Sequence, residues 1–151
     1  MRSQRSRLAT AVAAALLLTV AAVPALARTA PASSSVTWTG NGITADGNGG
    51  YVLGTSLCDA NETPYVLFIL GAARGVASPT IRFGADTPVA MAQSNGGKKG
   101  TSSWRYTYTP GSAIDLAALL ALPVTASWTG TASPTFTLSH GCVGSGGGGN
   151  L

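Results

Sequence analysis

The run Trp104-Arg105-Tyr106-Thr107-Tyr108-Thr109 constrains the fold more than any other stretch of this chain. Aromatic side chains occupy alternate positions, with Arg and Thr between them. A helix turns about 100° per residue and would scatter the three rings around its circumference. A strand puts all three on one face and leaves Arg105 and Thr107 on the other. The chain therefore holds at least one amphipathic strand, and its neighbours must supply the sheets.

Similar signals recur along the sequence. Val36 and Trp38 alternate with Thr37 and Thr39 before a Gly40-Asn41-Gly42 turn, and the phase marks both Val36 and Trp38 as core. Asp46-Gly47-Asn48-Gly49-Gly50 is a second turn, followed by a predicted strand over Tyr51 to Leu57. Tyr65 to Leu70 is apolar at every position, too short for a lone helix, and bounded by Pro64 and Gly71. It is expected to be the central, most buried strand. Thr80 to Phe83 and Pro88 to Met91 read as shorter strands, and Asn95 to Gly100 as a hairpin-like loop tipped by Lys98 and Lys99. Val124, Ala126 and Trp128 share a face in one closing strand, and Phe136 and Leu138 in the other. The same parity carries His140 and Cys142 inward.

One segment breaks the pattern. Ile114 to Leu122 is rich in helix formers, with Ser112 as an N-cap, Asp115 in capping-box position and Pro123 as a stop. Leu116, Leu119 and Leu120 fall on one stripe, so this short helix is expected to plug an open end of the core, with Ile114 and Leu122 off the stripe. About eight short strands with Gly/Pro/Asn turns and one helix predict an immunoglobulin-like antiparallel β-sandwich, mainly β, over residues 36–142.

The ends frame that domain. Arg2, Arg5 and Arg7 precede an apolar run from Leu8 to Val23, and Pro24-Ala25-Leu26-Ala27 offers small residues to a signal peptidase. Residues 1–27 therefore read as a signal peptide cleaved after Ala27, the competing reading being an uncleaved membrane anchor. Residues 28–35 form a flexible leader. Residues 143–151 form a Gly-rich flexible tail, which is either the end of the protein or the start of a linker. The full chain carries a net charge of +4, but three of its nine basic residues leave with the signal. Six bases against five acids remain, so the basic character belongs to the export label and argues against a nucleic-acid partner. The expected location is secreted or extracellular, associated with the cell surface.

Two cysteines, Cys58 and Cys142, lie in the exported part and are expected to pair. Closing so long a loop contributes roughly 4 kcal/mol by chain entropy. The early Cys before Pro64-Tyr65-Val66-Leu67-Phe68-Ile69-Leu70, the Trp104-x-Tyr106-x-Tyr108 strand and the terminal Ser139-His140-Gly141-Cys142 together resemble uncharacterised β-sandwich domains of secreted actinobacterial surface proteins. That resemblance implies no activity and carries over no functional residues.

Reactive chemistry is scarce. His140 is the single histidine, and neighbours on a strand face opposite ways, so Ser139 and His140 make a poor nucleophile–base pair. One His with two paired Cys cannot build a zinc site. Asp59, Asn61, Glu62 and Asp46 lack the ligand spacing of a calcium loop and read as solvated turns. No cofactor and no enzymatic activity are expected. The expected role is a non-catalytic structural or adhesion module, contacting a cell-wall or extracellular polymer or a protein. The alternative is a carbohydrate-binding module using the Trp104, Tyr106 and Tyr108 face. A membrane partner enters only through the signal segment if it is retained.

Overall fold

The computed structural model describes residues 32–54, 57–94 and 103–144. The expected signal segment, half of the leader, the loop bearing Lys98 and Lys99, and the tail beyond Gly144 lie outside the described residues. The protein is mainly β, a sandwich of antiparallel sheets with one short helix. Its strands are β1 (Ser33–Thr37), β2 (Ile43–Ala45), β3 (Tyr51–Leu53), β4 (Tyr65–Gly71), β5 (Ala77–Phe83), β6 (Val89–Ala90), β7 (Ala92–Gln93), β8 (Trp104–Tyr108), β9 (Val124–Thr129) and β10 (Thr135–Cys142). The helix is α1 (Leu116–Ala121).

One sheet has the order β1-β9-β5-β6, the other β10-β4-β8-β7, and β2-β3 is a separate hairpin. β4 pairs with β8 in one sheet and β5 with β9 in the other, an interlock found in Greek-key sandwiches. The terminal strands depart from the immunoglobulin arrangement: β1 joins β9 and β10 joins β4. In that arrangement the first strand would flank β4 and the last would flank β9. β1 also begins at Ser33, three residues before the alternation that marks it in the sequence.

Alternation builds the core. Val66, Phe68 and Leu70 of β4 are buried, as are Val124, Ala126 and Trp128 of β9 and Phe136 and Leu138 of β10. Phe68 is the hub. It meets Trp38 edge-on at 5.5 Å, Phe83 at 5.7 Å and Phe136 at 5.6 Å. Such aromatic contacts each add about 0.5–1.5 kcal/mol beyond area burial. Between β6 and β7 the chain crosses from one sheet to the other at Met91, which is buried and donates its N–H to the Pro79 carbonyl at 2.9 Å.

The helix is two residues shorter at its start than its formers suggest. Asp115, not Ser112, is the N-cap, and one carboxylate oxygen accepts from the N–H groups of Ala117 and Ala118 at 2.9 and 3.1 Å. Leu116 and Leu119 are buried and Leu120 half-buried against the core, as a plug requires. Ile114 is also buried, because it precedes the helix in extended chain and donates its N–H to the Val143 carbonyl at 2.7 Å. Of the Ile and Leu residues in this segment, Leu122 alone stays exposed. Cys58 and Cys142 are bonded, with Cα atoms 4.7 Å apart. The Cys58 N–H donates to the Gly144 carbonyl at 2.8 Å, so Val143 and Gly144 are anchored parts of the domain.

Candidate functional site

The aromatic strand faces inward. In the register of β8 against β4, Trp104 opposes Leu70, Tyr106 opposes Phe68 and Tyr108 opposes Val66, all three partners being fully buried. Cross-strand partners share a face, so the three aromatic side chains line the interior and are half-buried there. Phe83 stacks on Tyr108 at 4.6 Å and 25°, and lies 5.9 Å from Tyr106. The Trp104 Nε1 is buried and has no hydrogen-bond partner among the described residues. A sugar platform needs open ring faces; here the Tyr108 face is covered by Phe83, and Arg105 and Thr107 hold the outward positions.

The last strand breaks its parity. The register slips between Leu138 and His140, so Ser139 is the extra residue of a bulge and His140 falls opposite Leu67 on the outer face. The expectation that His140 and Cys142 point inward is therefore corrected: His140 is exposed, and Cys142, opposite Tyr65, is on the outer face too and is buried there in its bond to Cys58. The same bulge brings Ser139 Oγ to 3.3 Å from His140 Nδ1, a contact that simple strand parity forbids. Both side chains are exposed, and Ser139 is the only hydrogen-bond partner of the ring among the described residues. The pair thus lacks the third group that orients a catalytic base.

Beside His140 lies an open cleft of about 230 Å³, lined by Leu57, Asp59, Glu62, Tyr65 and the Cys142 end of the disulfide. Glu62 sits within 4.8 Å of both sulfurs, but these are bonded to each other and offer no thiolate to a metal. The Glu62 carboxylate instead accepts the Asp59 N–H at 3.2 Å, and the Glu62 N–H donates to the Asp59 carbonyl at 2.9 Å. Asp46 is likewise engaged in its own turn, one oxygen accepting from the N–H groups of Asn48 and Gly50 at 2.8 and 2.9 Å.

The two outer faces differ. On the β1-β9-β5 side, Ser33, Ser35, Thr37, Thr125, Ser127 and Thr129 stand in rows, with Arg82 at one margin. Thr37 and Thr125 touch through their hydroxyls at 3.2 Å. This is a normal solvated face. On the β10-β4-β8 side, Tyr65, Leu67 and Ile69 run down the middle, all half-buried. Sequence reasoning placed the whole of Tyr65 to Leu70 in the interior because every position is apolar. In an antiparallel sandwich only one face of the strand is covered, so alternate members of the run are left outside. An apolar run with no second covering layer was the one available signal for this stripe.

Comparison of the chain with protein-family models, curated proteins and solved structures finds no match. The functional reading therefore rests on the geometry and on the residues of the chain itself.

Proposed function

We propose that this protein is an exported, non-catalytic β-sandwich module, immunoglobulin-like in its central interlock, that acts by surface contact outside the cell. The observation that carries this reading is the Tyr65, Leu67, Ile69 stripe on the outer face of the β10-β4-β8-β7 sheet. Contiguous outward apolar surface is costly to keep in water and marks contact sites. Leu57, 61% exposed at the rim of the neighbouring cleft, extends the apolar area. The Cys58–Cys142 bond supports an oxidising compartment, and the Arg-rich start followed by Leu8 to Val23 supports export.

Replacing Leu67 by Glu tests the reading, because it puts a charge in the centre of the stripe without touching the inner face. Attachment of the protein to its host's surface material should be lost while the melting temperature holds. Unchanged attachment would overturn the contact-face assignment. Glycan binding through Trp104, Tyr106 and Tyr108 is disfavoured by their inward placement. It would regain support if a glycan array registered binding that Trp104→Ala removes in a folded protein.

A further inference from the structure

We propose that the outer face of the β10-β4-β8-β7 sheet pairs with the same face of a second copy of this chain. This rests on the contact-face reading above and adds the identity of the partner. The reason is the placement of charge around the stripe. Strand register sets out three outward rows: Thr137, Ile69, Arg105 and Ala92; then His140, Leu67 and Thr107; then Tyr65 beside Cys142, which its bond to Cys58 covers. Leu67 is at the centre. Arg105 stands at one corner, exposed and without an ion-pair partner among the described residues. Asp59 and Glu62 stand at the opposite corner, lining the cleft with Tyr65, His140 and Cys142. The distance from the Tyr65 row to the Ile69 row is about 13 Å along the strand. The face therefore runs diagonally from a cation through an apolar centre to two anions.

Such a pattern complements itself. A twofold axis lying in the plane of the face, through Leu67 and perpendicular to that diagonal, exchanges the two corners. Each Arg105 then covers Asp59 and Glu62 of the other copy, while Leu67 meets Leu67. The strands of the two sheets cross near a right angle, one of the two orientations in which sheets pack face to face. The contact is isologous and closes at two copies. The rim ion pairs select this orientation more than they add affinity. The strands of the opposite sheet offer no such arrangement of apolar centre and charge: their outward positions are mainly Ser and Thr, with Arg82 the only charged side chain on them.

Sedimentation equilibrium on the full-length chain, purified as its host processes it, tests the pairing. The face is smaller than a standard interface, so a dimer with a dissociation constant on the order of micromolar is expected. Arg105→Glu should weaken it by about tenfold or more, and adding Asp59→Lys to that variant should recover most of the loss. A wild-type chain that stays monomeric up to about 1 mM, or an Arg105→Glu variant that associates as wild type does, overturns the proposal. If the chain is monomeric and Leu67→Glu still abolishes surface attachment, the contact face stands and another macromolecule occupies it. If the chain is monomeric and that variant attaches normally, both readings fail.

Discussion

The carbonyl of Asn41 receives three donors: the Trp38 indole N–H at 2.8 Å, the Leu138 N–H at 2.9 Å and the Thr137 hydroxyl at 3.1 Å. One turn thus ties a core tryptophan to the free edge of β10. Gly42 makes the close approach feasible. Its φ of +103° suits glycine, and a Cβ there would collide with the Leu138 carbonyl. Gly42→Ala should therefore cost about 2–4 kcal/mol, from backbone strain together with loss of these bonds. Gly47→Ala also carries a positive φ but meets open space, and should cost only about 1 kcal/mol. Urea denaturation of the two variants checks the difference; equal midpoints would mean that the turn does not clamp β10. Gly141 is a comparable case at the bulge, since a Cβ there would strike the Tyr65 carbonyl of the paired strand.

At the scale of an element, α1 is too short to be stable alone and depends on what it covers. Leu119→Ala should destabilise by about 2–5 kcal/mol, because it opens a cavity under the plug. Ile114→Ser should be similarly severe, since the residue is buried although it lies off the helical stripe. Leu122→Ser should be nearly silent, within about 0.5 kcal/mol, because the side chain is exposed. Asp115→Ala should cost about 1 kcal/mol through the lost cap, and Ser112→Ala little, reversing the roles suggested by the capping-box spacing. Thermal melts of the five variants would show this ranking, and a melt in which Leu122→Ser was as damaging as Leu119→Ala would refute the plug. The bulge in β10 acts at the same scale. One extra residue moves His140 from the core to the surface and still returns Cys142 to the disulfide.

For the whole molecule, Cys58 and Cys142 tie the segment before β4 to the end of β10, across 84 residues. Replacing both with Ser should lower stability by about 2–5 kcal/mol, measured by chemical denaturation of the two proteins side by side. N-terminal sequencing of exported protein should begin at Arg28; a start at Met1 would favour the retained anchor. Period-two alternation at Trp104 to Thr109, Val124 to Trp128 and Phe136 to Leu138 was enough by itself to determine strands and the sandwich class, and for the last two segments the inner face as well. The cysteine pair followed from compartment and count. These are local properties, written in the spacing of side chains along a few residues. The pairing of β1 with β9 and β10 with β4, the slip at Ser139, the inward aim of the Trp104 strand and the uncovered side of β4 were decided only by tertiary structure. Each depends on which surface another segment covers, and a residue's burial is a property of its neighbours in space rather than of its own chemistry.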